Sequence, residues 1–346
     1  MTREKLFHFF NQVLTFGRYG KKVCYADVIK YVLLRSTKIG ILESMKSFER
    51  LSRKQVQDLR QLRRRRERYL KGLFFAEGER AVQQILRNGV IRVDMLILEE
   101  RLRQDVEDHL NGRKIISKGN EDVDQPSNNM VTGILADLMK TRSEECSDRP
   151  KLFFASSSVI RQISDTESSQ GVIAVFSIPD PCSEAELLEK KGTMLVVDRV
   201  QDPGNLGTMI RTAAWFGLKG VVLSPGTVDL FHPKVVRGTA GATGVLDWLS
   251  TDLSTFLSMA DDRGWMVNLL DAGDGAISWT DAPVGDKQLL VVGNEANGIA
   301  SDLKKQGYRR VCIDPVMSFD EQKRFMGVES LNVSVAAGIM MARYAG

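Results

Sequence analysis

Apolar and polar residues alternate in blocks along the chain, and the blocks predict strands and helices in turn. In the first half, four apolar runs predict buried strands: 73–76, 93–98, 152–155 and 172–178. Four amphipathic or polar stretches predict helices: 52–69, 79–87, 101–110 and 157–163. Strands that alternate with helices in this way are typical of an α/β layer fold.

The alternation pauses near Pro181 and then starts again. Strands are predicted at 194–197, 220–223, 267–270, 289–292 and 311–313. Helices are predicted at 206–216, 233–238 and 331–344. The strands of this half are continuous apolar runs, which favours a parallel sheet covered on both faces.

These patterns divide the 346 residues into four parts. Residues 1–45 form an N-terminal extension of unknown role, and 46–180 form a smaller α/β domain. Residues 181–192 are predicted to link this domain to a second α/β domain at 193–346. Within the first domain, the polar stretch at about 118–150 is predicted to be an insertion, with a helical patch only at 134–139.

Charge is unevenly distributed, although the net charge is only +4. Arginine and lysine cluster between Arg50 and Lys71, as expected of a protein that contacts a polyanion, although a solvated helix face is an alternative. The candidate contacts for such a polyanion are Arg60, Arg63, Arg64, Arg65, Arg66 and Arg80.

Cysteine usage and hydropathy exclude several classes of protein. Four scattered cysteines contain no C-x-x-C pair, so neither a disulfide framework nor a metal site is predicted, and a reducing cytoplasm is expected. No apolar run is long enough to span a membrane.

Three short motifs in the second half carry the candidate chemistry. The first, residues 198–213, leaves a strand, turns at Pro203-Gly204 and enters a helix for which Asn205 is the predicted N-cap. Arg211 lies six residues later, about 120° around the helix from Asn205. Both side chains can therefore border a pocket at the positive end of the helix.

The second and third motifs also combine a strand or helix end with small and polar residues. In the second, Gly293 ends an apolar strand and would let backbone approach a ligand closely, and Glu295 follows it. In the third, Ser330 is the predicted cap of the last helix, with Leu331 and Asn332 beside it. Each motif alone is also compatible with an ordinary structural role.

In this order and spacing, the three motifs resemble those of the SpoU/TrmH family of RNA 2′-O-ribose methyltransferases, in the SPOUT superfamily. The segment 228–238 resembles the family's link between the first two motifs. Residues 72–80 and 164–172 resemble its small substrate-binding domain, which is similar to ribosomal protein L30e. The resemblance covers roughly residues 193–344 in the catalytic domain.

The resemblance implies an open parallel sheet with a trefoil knot, a homodimer formed through the knotted domain, and S-adenosyl-L-methionine as cofactor. It implies a cofactor pocket lined by Gly293, Ile313, Leu331 and Asn332. It implies a catalytic set of Asn205, Arg211, Glu295, Ser330 and Asn332. The substrate class it implies is RNA, with the L30e-like domain favouring ribosomal over transfer RNA.

One departure from the family pattern leaves an alternative open. The family passes from Ile-Pro-Met to its last motif by a short loop, whereas here residues 318–325 lengthen that loop. A knotted RNA-binding or assembly protein without methyl transfer is therefore the main alternative. A nucleotide-dependent oxidoreductase is disfavoured, because the G-x-G-x-x-G fingerprint is absent.

Overall fold

The computed structural model describes residues 49–110, 128–140, 150–164, 166, 169–273, 275–315 and 330–345. The predicted extension at 1–45 lies outside these residues, as do most of the insertion and the long loop of the third motif. From Glu49 onward the chain forms one compact unit. We describe it as an N-terminal lobe, residues 49–178, and a C-terminal lobe, residues 179–345.

The N-terminal lobe is built on a mixed five-stranded sheet in the order β1-β4-β3-β5-β2. Its strands are β1 (Glu49–Arg50), β2 (Leu73–Glu77), β3 (Val93–Glu99), β4 (Lys151–Ala155) and β5 (Val172–Ser177). The strands β1, β4 and β3 are parallel, and β5 is antiparallel to both β3 and β2.

Helices cover both faces of this sheet. They are α1 (Arg53–Gln61), α2 (Arg65–Lys71), α3 (Glu79–Asn88), α4 (Arg103–Leu110), α5 (Asn128–Lys140) and α6 (Ser157–Ile163). Leu59 and Leu62 pack with Ile160 and Phe75 in one buried cluster. Helix α3 buries the apolar face predicted from its sequence, including Val82 and Ile85.

The C-terminal lobe is a seven-stranded, wholly parallel sheet in the order β10-β12-β9-β11-β6-β7-β8. Its strands are β6 (Gly192–Val197), β7 (Gly220–Leu223), β8 (Asp247–Ser250), β9 (Met266–Leu270), β10 (Ile277–Ser278), β11 (Lys287–Val292) and β12 (Arg309–Cys312). The central strands β6 and β11 are almost fully buried, as their continuous apolar sequence predicted.

Helices on both faces enclose this second sheet. They are α7 (Glu184–Leu188), α8 (Pro203–Trp215), α9 (Pro233–Gly238), α10 (Leu253–Asp261), α11 (Ser301–Lys304) and α12 (Val333–Ala345). Helices α8 and α12 pack on each other, and α12 also contacts β11 and β6. The predicted α/β class and parallel sheet are confirmed. The trefoil knot stays a prediction, because residues 316–329 lie outside the described residues.

Some predicted elements were wrong. The single helix expected at 52–69 is two helices, because the chain turns after Gln61 and Arg64 adopts an extended conformation before α2. Strand β8 and helix α10 were not predicted at all. The β8 sequence Asp-Trp-Leu-Ser mixes buried and exposed positions, so it lacks the continuous apolar run that identified the other strands.

A buried ion pair joins the two lobes. Arg68 of α2 donates from both Nε and Nη2 to Asp229, with an Nε–Oδ2 distance of 2.8 Å. Only 1% of the Arg68 side chain and 4% of the Asp229 side chain are exposed. The second carboxylate oxygen of Asp229 accepts a hydrogen bond from the Tyr69 hydroxyl at 2.8 Å.

Aromatic packing continues the junction beside this ion pair. The ring of Phe74 in β2 lies 5.1 Å from that of Phe231, which lies 5.3 Å from that of Trp248 in β8. Trp248 also donates its indole N–H to the carbonyl of Pro179. Ring pairs at these distances stabilise more than their buried area alone provides, so the lobes meet over a packed interface.

Two further features bear on the class of protein. In the described ranges, no helix is both long enough and apolar enough to cross a membrane. Across the same residues, no group of three or more histidine, cysteine, aspartate or glutamate side chains is arranged to hold a metal ion.

Replacing Arg68 with Met should destabilise the protein strongly, because Asp229 would keep a buried charge without its cation. We expect the free energy of unfolding to fall by about 3–5 kcal/mol, the range typical of removing one partner from a buried pair. Urea denaturation followed by circular dichroism measures this change. The matched control is Arg66→Met on the exposed side of the same helix, which should cost no more than about 0.5 kcal/mol. Equal effects for both variants would contradict the structural role of Arg68.

Candidate active site

The candidate site lies where the direction of strand order changes in the C-terminal sheet. Strands β6 and β11 are adjacent and in register, with Val197 beside Val292 at their carboxyl ends. From β6 the chain builds outward through β7 and β8, and then crosses to β9 on the far side of β11. Such switch points in open parallel sheets leave a crevice at the carboxyl ends of the strands, where ligands bind.

Helix α8 begins at this edge, three residues earlier than its sequence suggested. Its N-cap is Asp202, whose side chain accepts a hydrogen bond from the Asn205 backbone N–H at 2.7 Å. Pro203 occupies the first turn, a position that favours proline. The predicted capping role of Asn205 was therefore wrong. Because Asp202 caps the helix, the side chain of Asn205 is available for other contacts.

The three motifs meet in one chain of hydrogen bonds. The side-chain amide of Asn332 donates to Asn205 Oδ1 at 2.9 Å. Asn205 in turn donates from Nδ2 to Glu295 Oε1, also at 2.9 Å. Residues separated by up to 127 positions in sequence thus form one polar surface at the start of α8.

The direction of this chain is fixed at both ends. The Ser334 backbone N–H donates to Asn332 Oδ1 at 2.9 Å, so the amide nitrogen of Asn332 must face Asn205. At the other end, the Glu295 carboxylate can only accept. Both amide groups are therefore held in one orientation, which preorganises the surface they present to a ligand.

Asn332, and not Ser330, caps the last helix. The carbonyl oxygen of Asn332 accepts from the Ala336 N–H at 2.9 Å, and its side chain accepts from Ser334. Ser330 is exposed and lies two residues before this cap. The predicted capping role of Ser330 was therefore wrong, and its predicted catalytic role stays a prediction.

Glu295 is held as a carboxylate. Burial raises the pKa of Glu295, but hydrogen bonds from Asn205 and from the backbone N–H groups of Gln201 and Asp202 outweigh it. The net result is a pKa below the ordinary value of 4.5. The Glu295 carboxylate in turn holds the loop before α8, since the backbone nitrogens of Gln201 and Asp202 lie 3.4 and 3.3 Å from its oxygens.

Gly293 is required by the fold of its own loop. A Cβ atom at this position would lie 2.2 Å from the carbonyl carbon of Gly298 and 2.3 Å from the nitrogen of Ile299. The loop is closed by paired backbone hydrogen bonds between Asn294 and Gly298 at 3.0 and 2.9 Å. The close approach inferred from sequence thus exists, but it is to the chain's own backbone.

A second glycine contact was missed from sequence. Gly207 of α8 packs on Gly238 of α9 so closely that a Cβ at Gly207 would lie 2.8 Å from the Gly238 Cα. The two glycines allow the helices to touch through their backbones, which sets the position of α9 beside the site. Their spacing of 31 residues is not a local pattern, so no sequence signal indicated it.

The remaining predicted site residues take no part in the polar chain itself. Arg211 is exposed in the third turn of α8, and its guanidinium makes no hydrogen bond or ion pair with a described residue. Ile313 is half-buried just after β12, and Leu331 is 45% exposed immediately before Asn332. An exposed leucine next to an ordered polar chain is a suitable apolar wall for a bound ligand.

The predicted RNA-binding arginines divide into two groups. Arg60, Arg64, Arg65, Arg66 and Arg80 are exposed. Arg63 is half-buried and donates from Nη2 to the carbonyl oxygens of Gln162 and Ile163 at 3.3 and 3.1 Å, and also to that of Ser164. Arg63 therefore already holds the end of α6 to the loop between α1 and α2.

Comparison with known families decides the class of protein. Residues 192–342 match the family described as SpoU rRNA Methylase, and residues 53–174 match the MRM3-like substrate binding domain. The C-terminal lobe belongs to the SpoU rRNA methylase family. Its match begins at the first residue of β6 and includes Asn205, Arg211, Gly293, Glu295 and Asn332.

Relatives of this SpoU-family chain extend over both lobes. It is 28% identical to the 23S rRNA (guanosine(2553)-2′-O)-methyltransferase RlmP of Bacillus subtilis (strain 168), over 87% of this chain and 100% of that protein. A TrmH-family RNA methyltransferase structure from Porphyromonas gingivalis superposes with a TM-score of 0.61 and 25% identity, covering 86% of this chain and 98% of that one.

A third neighbour carries a cofactor. The AdoMet-bound rRNA methyltransferase structure from Sinorhizobium meliloti has a TM-score of 0.61 and 22% identity, covering 83% of this chain and 92% of that one. With these matches the predicted family and the RNA 2′-O-ribose methyltransferase class are confirmed, and the AdoMet-bound neighbour shares the fold. The roles of individual site residues stay predictions.

Glu295→Gln tests the ionised carboxylate through stability against pH. Because the folded-state pKa of Glu295 is lowered, its stabilisation is fully present above about pH 4.5 and is lost as the pH falls through that lowered pKa. The difference in melting temperature between wild type and Glu295→Gln should therefore be constant from about pH 6 to 8 and shrink in acid. Glu189→Gln, an exposed control, should change the melting temperature little at neutral pH. A difference that grew on acidification would reverse the assigned sign.

Proposed function

We propose that this SpoU-family chain transfers a methyl group from S-adenosylmethionine to the ribose 2′-hydroxyl of a ribosomal RNA nucleotide at the carboxyl ends of β6 and β11. The observation that carries this proposal is the oriented chain Asn332–Asn205–Glu295. It brings all three family motifs to one point. The chain matches a 23S rRNA 2′-O-methyltransferase over that protein's whole length, which supports ribosomal RNA as the substrate.

The residues near this edge fit the cofactor. Leu331 and Ile313 offer apolar surface for an adenine ring, and the backbone around Gly293 and Asn332 offers polar groups for a ribose or an amino acid end. The cofactor supplies an activated methyl group on a positively charged sulfur. The protein then has to orient the ribose oxygen and stabilise the charge that develops on it.

Arg211 is the residue best placed to meet that charge. It lies one and a half turns beyond Asn205 on α8, and no described residue pairs with its guanidinium. A guanidinium stays protonated in proteins, so it cannot accept the hydroxyl proton. We assign it to stabilise the oxygen as the O–C bond forms and the S–C bond breaks, while an RNA phosphate that it orients takes the proton.

A second copy of the chain is expected to complete the functional unit. Trp215 at the end of α8 is 85% exposed, and Val335 on α12 is 51% exposed. These helices pack on each other, with Gly338 facing Thr212. Apolar side chains exposed on adjoining helices favour burial against another subunit, as the predicted homodimer through this lobe requires.

A reducing compartment suits the cysteines. Among the described residues, Cys182 and Cys312 are free thiols, and both are half-buried. Free thiols of this kind are typical of proteins in a reducing environment, which supports the predicted cytoplasmic location.

One assay tests both methyl transfer by the wild-type protein and the role of Arg211, through the variant Arg211→Ala. Ribosomal RNA from a strain lacking the enzyme is incubated with labelled S-adenosylmethionine, and 2′-O-methylation is recognised by nucleotides resistant to alkaline hydrolysis. Arg211→Ala should bind the cofactor normally but lose about 10²–10³-fold in kcat, as expected for loss of an oxyanion donor.

Arg263→Ala, an exposed arginine of the same lobe away from the site, is the matched control and should keep full activity. Cofactor binding without transfer to any ribosomal RNA would favour the RNA-binding, non-catalytic alternative.

A further inference from the structure

A cleft of about 620 Å³ opens between the two lobes. The N-terminal lobe contributes the end of β2 and the first turn of α3, with Glu77, Glu79 and Arg80, and Gln170 from the loop before β5. The C-terminal lobe contributes Arg237 of α9 and Ala240 after it. Cavities of roughly 300–1,000 Å³ suit ligands of nucleotide size.

The cleft lies directly beside the helix that carries the catalytic residues. Gly238, next to Arg237, packs on Gly207 of α8, and its Cβ position is 3.8 Å from the carbonyl oxygen of Pro203. Asn205 and Gly207 are two residues apart, so their side-chain positions differ by about 200° around α8. Helix α9, whose Arg237 lines the cleft, and the polar chain therefore lie on opposite sides of the start of α8.

The cleft offers two cationic groups to an anion. Arg80 is exposed and makes no hydrogen bond or ion pair with a described residue. The Arg237 side chain is 41% exposed. Its Nη2 lies 4.0 Å from Glu77 Oε2, and its other N–H donors take no part in that contact. The first turn of α3 also lines the cleft, and the positive end of a helix favours negative charge.

The two acidic residues of the cleft have different roles. Glu77 is buried and accepts hydrogen bonds from Ser164 and from Thr166 Oγ1, so it fixes the cleft wall. Glu79 lines the cleft, and its carboxylate makes no hydrogen bond with a described residue. Burial raises the pKa of Glu79, so its carboxylate would gain from a donor on a ligand.

We infer that this cleft binds one unpaired nucleotide flanking the methylated one, with its phosphate between Arg80 and Arg237 and the donor edge of its base on Glu79. Two carboxylate oxygens match two adjacent N–H donors, which guanine presents on its pairing edge. This inference rests on the proposed function for its RNA substrate. It adds that the RNA strand is gripped by both lobes at once, so the substrate is recognised across the junction that Arg68 and Asp229 hold.

Binding of short RNA tests the phosphate contact. The probe is a fluorescein-labelled single-stranded 12-nucleotide RNA of alternating guanosine and adenosine, and anisotropy is measured from about 50 to 200 mM salt. The double variant Arg80→Ala, Arg237→Ala should bind roughly 10-fold or more weakly, and its logarithmic salt slope should fall by about 0.7, the value for one phosphate contact on a single strand. The double variant Arg80→Lys, Arg237→Lys should keep most of the logarithmic salt slope, because lysine retains both positive charges.

Exposed arginines away from the cleft serve as controls. Arg161→Ala in the N-terminal lobe and Arg263→Ala in the C-terminal lobe should bind within about twofold of wild type. Cofactor titration of every variant establishes that each is folded. A double variant that binds this RNA with wild-type affinity and slope would overturn the phosphate site.

The base contact is tested with the same RNA after inosine replaces guanosine, since inosine lacks the exocyclic amino group. Wild type should prefer the guanosine RNA, and Glu79→Gln should lose that preference. An equal preference in both proteins would overturn the role of Glu79.

Methylation of ribosomal RNA separates this inference from the proposed function. If wild type does not methylate, the proposed function fails. If wild type and the double variant methylate with the same KM, only the cleft inference fails.

Discussion

The ion pair of Arg68 with Asp229 is the interaction on which the arrangement of the two lobes depends. A buried pair is tolerated only when its remaining donors and acceptors are satisfied. Here the second terminal nitrogen of Arg68 donates to the carbonyl oxygens of Leu62 and Arg63. The Tyr69 hydroxyl donates to the remaining carboxylate oxygen of Asp229. Because these hydrogen bonds are directional, they fix the angle at which the lobes meet. Apolar packing is not directional and constrains that angle less. Next to Asp229, the Val228 N–H donates to the Val200 carbonyl oxygen, in the loop that leads to α8.

The active site follows from what each motif does for its own backbone. Asp202 caps α8, Asn332 caps α12, and Gly293 closes a loop too tight for any side chain. Because other residues cap the helices and close the loop, the side chains of Asn205 and Glu295 are free to hydrogen-bond to each other in a fixed orientation. The resulting surface needs no rearrangement to present its donors and acceptors, and Arg211, which pairs with none of the described residues, adds the positive charge that a developing alkoxide requires.

Sequence patterns predicted most of the fold because its strands are continuous apolar runs between helices of clear periodicity. The motifs also identified Asn205, Glu295 and Asn332, which the structure brings together. The errors came from local competition. Asp202 and Asn205 are both good caps, and only the position of Pro203 in the first turn favours the former. Strand β8 was missed because its four residues mix buried and exposed positions and include no continuous apolar run.

The α/β class, the parallel sheet, the family and the residue types of the site could all be predicted from the sequence, because these depend on local periodicity and on motifs of fixed spacing. Tertiary structure alone decided which members of the arginine run face solvent. Arg66 and Arg68 lie two residues apart on one helix, yet one is exposed and the other is buried against Asp229. It also decided that Gly207 meets Gly238 and that Arg80 lies across a cleft from Arg237. Contacts between distant segments depend on how helices pack within a lobe and how the two lobes pack together, and no local pattern records them.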